Sequence, residues 1–180
     1  MPRILVLYYS AYGHTETLAQ AVADGARQVP GAQVELKRVP EIVPEHLARK
    51  SGYQLDQSAP VATTEELVSY DAVLFGTPTR FGTMAAQMRT FLDRAGAMWV
   101  KGLLTDKIGS VFLSSAAQQL SPDRIINSFH STLRHHGMRI AAPPLADAPA
   151  SPPPLLGPED LQRARDHGRH VANLAKRRAA

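Results

Sequence analysis

Residues Ile4–Tyr8 form an unbroken apolar run, the pattern of a strand buried on both faces of a parallel sheet. After a turn at Ser10–His14, the chain from Thr15 to Val29 takes helical spacing, with Leu18, Ala19, Val22 and Ala26 on one face, and Pro30-Gly31 stops it. Gln33–Val39 alternates polar and apolar, as an edge strand does. Pro40–Pro60 carries three prolines and mixed charge and predicts an excursion with at most one short helix. A short helix starts at Thr64–Leu67. Ala72–Phe75 predicts a second buried strand, residues 76–82 a turn, and Met84–Ala95 a helix. Lys107–Leu113 predicts a third buried strand, Pro122–His136 a helix ended by Gly137, and Arg139–Ala141 a short last strand. Pro143–Pro158 holds seven prolines in sixteen residues and reads as an extended surface connection before a final helix over Glu159–Lys176.

This order predicts an α/β fold: a doubly wound, five-stranded parallel sheet with helices on both faces, formed by one domain over residues 1–180. In such sheets ligands bind beyond the carboxyl ends of the strands. The loops 10–15, 77–83 and 114–121 leave those ends and are where a site is expected.

Composition narrows the chemistry. The chain has 180 residues and no cysteine, which excludes disulfides, thiolate zinc sites and thiol redox chemistry. No His/Asp/Glu grouping has metal-ligand spacing, so no metal is expected. No Gly-x-Ser-x-Gly elbow marks a serine hydrolase. No stretch approaches the ~20 apolar residues of a membrane span, and no signal peptide opens the chain, so the expectation is a cytoplasmic protein. The net charge of +4 sits at one end: residues 161–180 hold six Lys/Arg against one acid, while residues 1–160 hold 14 against 15. That basic helix has no aromatic residue, so no nucleic-acid partner is expected, and His167 and His170 on it are expected to be solvated.

The first loop, Ser10-Ala11-Tyr12-Gly13-His14-Thr15, has hydroxyls at both ends and no Lys or Arg. It is neither a Walker A loop nor a Gly-x-Gly-x-x-Gly fingerprint. Hydroxyls and backbone N–H groups at a helix start suit a monophosphate; an ordinary N-cap at Ser10 or Thr15 is the competing reading. In the second loop, Pro78-Thr79-Arg80-Phe81-Gly82, Arg80 and Phe81 are placed either to flank a flat ring or to serve as surface charge and core.

These two loops carry a specific resemblance. The segments Val6–His14, Lys37–Glu41, Phe75–Gly82, Gln87–Asp93, Trp99 and His135–Met138 resemble the WrbA-like NAD(P)H:quinone oxidoreductases, flavodoxin-like proteins that bind FMN. The resemblance spans residues 3 to about 140. It implies the flavodoxin strand order 2-1-3-4-5. It also implies an FMN phosphate held by Ser10–Thr15, with Pro78, Thr79, Arg80, Phe81 and Gly82 along the ribityl chain and ring edge. Ser114, Ser115 and Ala116 of the third loop complete the implied cofactor set. Tyr12 is implied to lie by the nicotinamide of NADH or NADPH, Trp99 over the quinone, and His135 against flavin or substrate. The implied reaction is two-electron, from NAD(P)H to a quinone. As alternatives, Trp99 is a core or interface aromatic and His135 a helix-end residue complementing the dipole. A flavodoxin-like electron carrier and a flavin-free interaction protein are the other functional readings.

Two departures stand out. The family's third loop is glycine-rich, whereas Ser114–Gln119 has no glycine. The family's long glycine-rich segment before the last helix is replaced by the shorter Pro143–Pro158. The family assembles as a tetramer; the shortened segment leaves a dimer as the alternative.

Overall fold

The apolar run at the start of the chain becomes the middle of a sheet. In the computed structural model, strand β1 (Arg3–Tyr8) has every residue from Ile4 to Tyr8 fully buried. The structure describes residues 1–80, 82–114, 122–142 and 156–178, with only the backbone of Arg80 and Pro122. Strands β2 (Gln33–Arg38) and β3 (Ala72–Arg80) pair in parallel on either side of β1. A two-residue strand β4 (Thr83–Met84) folds back antiparallel on the end of β3. Strand β5 (Ile108–Ser114) pairs with β3, and the short β6 (Arg139–Ile140) with β5. The parallel strands run in the order β2-β1-β3-β5-β6, which is the expected flavodoxin order once the small hairpin strand is set aside.

Strand alternation divides the core into two layers. Leu5, Leu7, Val73, Phe75 and Val111 face helices α3 (Ala86–Arg94) and α5 (Pro122–His135), packing on Met88, Leu92, Phe129 and Leu133. Ile4, Val6, Tyr8, Leu74 and Phe112 face α1 (His14–Arg27) and α6 (Pro158–Arg178). The four predicted face residues of α1, namely Leu18, Ala19, Val22 and Ala26, are all buried there. Two shorter helices, α2 (Glu45–Lys50) and α4 (Gly96–Val100), lie in the connections, with a 3-10 turn at Glu65–Ser69.

The outer helices α1 and α6 cross very closely. A Cβ on Gly25 would lie 1.9 Å from the Arg165 carbonyl oxygen, and one on Gly168 would lie 1.9 Å from that of Val22. Glycine at both crossing points lets backbone touch backbone.

Two expectations are corrected. Residues 76–80 are not turn but the continuation of β3, because pairing with β5 runs on to Pro78 and β4 closes the hairpin at Thr79 and Arg80. His167 is not solvated: it is 5% exposed beneath the sheet, with its Nε2 2.7 Å from the Ser110 hydroxyl, which donates to the Ala141 carbonyl. It shares the buried stripe of Ala164, Val171 and Ala175, spaced at i−3, i+4 and i+8. His170 is exposed, as expected. Burial, with the nearby charges of His170 and His130, pushes the His167 pKa down to about 4.

Candidate functional site

Register sets the site. Tyr8 pairs with Gly76, Gly76 with Phe112, and Pro78 with Ser114. The segments leaving β1, β3 and β5 therefore emerge together at the carboxyl edge of the sheet. Gly76 permits this tight pairing, since a Cβ there would lie 2.2 Å from the Phe112 ring.

The first loop turns sharply from β1 into α1. Gly13 is the N-cap, in the left-handed region at φ 88°, and its N–H donates to the Ser10 hydroxyl at 3.0 Å. A Cβ at Gly13 would meet the Gln54 side-chain oxygen at 2.6 Å, so both conformation and space call for glycine. No side chain caps the helix. Ser10 spends its oxygen within the turn, and Thr15 lies inside α1, so neither is the ordinary cap of the competing reading. Both hydroxyl residues are buried, Ser10 at 4% and Thr15 at 1% exposure. Thr15 Oγ1 lies 2.6 Å from Ser114 Oγ, joining the first loop to the third. Ala11 is buried, His14 exposed, and Tyr12 half-exposed with its ring edge-on to Tyr53.

The second loop is braced from below. Thr77, fully buried, accepts from the Ala85 N–H at the start of α3 and donates to the Pro78 carbonyl, both at 3.0 Å. Pro78 and Thr79 are partly buried, and the hairpin returns through Gly82 at φ 76°. Phe81, Ser115 and Ala116 lie outside the described residues, as does the side chain of Arg80.

A carboxylate ties these loops together. Glu41 accepts from the Tyr9 hydroxyl at 2.7 Å, from Gln87 Nε2 at 2.6 Å, and from the Ile42 and Val43 N–H groups. Burial alone would raise its pKa, but the hydrogen bonds from Gln87, Val43, Tyr9 and Ile42 outweigh that and hold it below the usual range. Tyr9 directly precedes the first loop, and Gln87 lies in the first turn of α3, the helix that follows the second. Behind the first loop, the segment 54–57 supplies two further donors. The Gln54 N–H reaches the Ala11 carbonyl at 2.8 Å, and Gln57 Nε2 reaches the Ser10 carbonyl at 2.8 Å. Glu41 falls in a segment that carries the resemblance, but nothing local assigns a role to it or to Gln57, because Tyr9, Gln87 and Ser10 lie 32 to 47 residues away.

Two expected residues are not brought to this cluster within one chain. His135 ends α5, with its Nδ1 2.8 Å from the Ser131 carbonyl. The residues just after it meet Thr105 and Asp106, ahead of the first residue of β5. A helix that follows a parallel strand runs back along it, so its C-terminus returns to the amino edge. Trp99, in α4 after the descending α3, lies toward that same edge and is 54% exposed.

The donor set at the carboxyl edge fits an FMN phosphate. It is neutral, with buried hydroxyls at Ser10 and Thr15, a partly buried one at Ser114, and the uncapped positive end of α1 between them. No Lys or Arg competes within residues 10–15, as suits one phosphate without a metal. Among the described residues no group of three His, Asp or Glu side chains converges as for a metal ion, and no helix is long and apolar enough to cross a membrane.

Solved structures share this fold. The chain is similar to a WrbA-like flavodoxin from Agrobacterium tumefaciens, with 24% identity, TM-score 0.67, and coverage of 98% of this chain and 99% of that one. It is also similar to a protein described as flavone reductase (17% identity, TM-score 0.67, covering 97% and 63%) and to oxidised flavodoxin 1 from Bacillus cereus (16%, 0.61, covering 95% and 97%). Residues 2–148 match the model of the NADPH-dependent FMN reductases, most of the chain, and this protein therefore belongs to that family, with FMN as cofactor and a reduced nicotinamide nucleotide as electron donor.

Proposed function

We propose that this protein is an FMN-dependent NAD(P)H:quinone oxidoreductase. The observation that carries the reading is the neutral cradle of Ser10, Thr15 and Ser114 around the uncapped start of α1. The chemistry that bound FMN supplies is two-electron hydride transfer from the nicotinamide to the acceptor. Ser10, Thr15 and Ser114 hold the phosphate end by hydroxyl and backbone donors, with Ala11, Gly13 and His14 shaping the turn. Pro78, Thr79 and Gly82 set the wall along the ring, with Arg80, Phe81, Ser115 and Ala116 as its remaining members by resemblance. Thr77 and Glu41 hold that wall against the first loop, so binding finds the two segments already in place. Tyr12, exposed over the loop, offers an aromatic face to the nicotinamide.

Trp99 offers a stacking face for a planar quinone, and His135 a ring nitrogen for hydrogen bonding. Both lie at the amino edge, so they join the site only across a subunit boundary in a self-associated protein. The exposed apolar run of Trp99, Val100 and Leu103 supports such a contact.

The structural likeness to flavodoxins motivates a second reading, an electron carrier. The nearly balanced charge of residues 1–160 speaks against it, since carriers dock through a charged face. Desalting after incubation with FMN, followed by assay with NADH or NADPH and a benzoquinone, separates the readings. Retained flavin with rapid nicotinamide oxidation supports the oxidoreductase. Retained flavin without turnover supports the carrier, and a folded chain that holds no flavin overturns both.

A further inference from the structure

We infer that Gln57 is a positioning residue for the cofactor phosphate, acting through the backbone of the β1–α1 loop; this rests on the FMN reading above. Gln57 Nε2 donates to the Ser10 carbonyl at 2.8 Å and to the Gln54 carbonyl at 2.6 Å. Both partners are acceptors, so only the amide nitrogen fits this place and the orientation of the side chain is settled. The Gln54 N–H in turn donates to the Ala11 carbonyl at 2.8 Å. Two successive loop carbonyls, those of Ser10 and Ala11, are thus anchored on one strap formed by residues 54–57.

A planar trans peptide points its N–H opposite to its C=O. Holding the Ser10 and Ala11 carbonyls on the strap turns the amides that follow them, those of Ala11 and Tyr12, away from it. The Gly13 N–H is fixed separately, on the Ser10 hydroxyl. The strap therefore sets the direction of the loop's amides without touching the anion they serve.

The other end of the same side chain supports the assignment. Gln57 Oε1 is buried with no hydrogen-bond partner among the described residues. An unpaired buried acceptor is unfavourable, so packing alone does not account for an amide there. Its donor does, because an apolar side chain of similar size would leave the Ser10 carbonyl unanchored.

The test is a fluorescence titration of the full chain with FMN and, separately, with riboflavin, which lacks the phosphate. Wild type is compared with Gln57→Glu, which puts an acceptor against the Ser10 carbonyl, and with Gln57→Leu, which removes the donor without adding charge. FMN affinity is expected to fall about tenfold or more, the scale of one hydrogen bond to a charged group. Riboflavin affinity is expected to stay within about twofold of wild type, since the strap does not touch the ring side. Circular dichroism identifies any variant that has not folded, and the other variant then carries the comparison. Equal losses for both flavins, or no loss of FMN affinity, would overturn the inference while leaving the FMN reading intact. A wild-type chain that binds neither flavin overturns the FMN reading and this inference with it.

Discussion

Thr15 and Ser114 are 99 residues apart in the chain, yet their hydroxyl oxygens lie 2.6 Å from each other. The contact exists because β1 and β5 flank β3 in one parallel sheet and both leave it at the carboxyl edge. It brings two hydroxyls to the start of α1, where a phosphate gains from both the donors and the helix dipole. Replacing Thr15 with Val keeps the shape and removes one hydroxyl. A hydrogen bond to a charged group is worth about 1.5–3 kcal/mol, so FMN affinity should fall roughly 10- to 100-fold. Titration of apo-protein with FMN reads this directly, and an unchanged affinity would remove Thr15 from the phosphate site.

Glu41 gathers four donors from three segments of the chain. Glu41→Ala takes away the shared acceptor and should destabilise the fold by about 1–3 kcal/mol. For a chain of this size that is a fall in melting temperature of roughly 3–10 °C. Its carboxyl is held below the ordinary range, so its contribution is complete above the unfolded pKa and fades as pH falls through the lower folded one. Thermal melts across acid pH should show a smaller acid loss in Glu41→Gln than in wild type. Parallel curves would count against the carboxylate as the source.

His167 makes stability depend on pH at milder acidity. Its folded pKa of about 4 lies below the unfolded value of 6.5, so between these two the unfolded chain binds the extra proton. Stability is therefore whole above pH 6.5 and is lost as pH falls toward 4. A shift of this size is worth on the order of 3 kcal/mol. His130, also pushed down by burial and by Arg134, adds to the loss in the same direction. Urea unfolding at pH 7.5 and pH 5 should show the drop in wild type and a reduced one in His167→Gln. An equal drop in both proteins would mean that His167 is not its origin.

Gly25 and Gly168 give a test of sign. In an exposed helix interior, Gly→Ala stabilises by about 1 kcal/mol. Here a Cβ at Gly168 would stand 1.9 Å from the Val22 carbonyl oxygen, inside any tolerable contact. Forcing α1 and α6 apart costs about 1–3 kcal/mol, enough to outweigh the propensity gain. Gly168→Ala and Gly25→Ala should each lower the melting temperature, whereas Gly96→Ala, with nothing within 4 Å of the added carbon, should not. A rise for Gly168→Ala would refute the close crossing.

Local patterns carried much of this protein. The apolar run Ile4–Tyr8 and the helical spacing of Leu18, Ala19, Val22 and Ala26 report burial directly, because a strand between two helix layers must be apolar on both sides. The turn at Ser10–His14 is legible because it sits where a strand ends and turn chemistry is local, whereas Pro78–Arg80 reads as turn and is strand, because its pairing partners on β4 and β5 are not visible locally. The fold order and the family followed from these segments. Placement across the chain was decided by the tertiary structure. The period that buries Ala164, Val171 and Ala175 also passes through His167, but only the sheet beneath it supplies Ser110 to receive a polar ring. Nothing near Gln57 in the chain announces that its amide will meet Ser10. The resemblance assigned Trp99 and His135 to the site, yet in one chain the direction of the helices carries both to the opposite edge. Short-range periodicity encodes which side of an element is buried. Which distant backbone or side chain waits there is set by strand register and crossover direction, and those exist only once the sheet has formed.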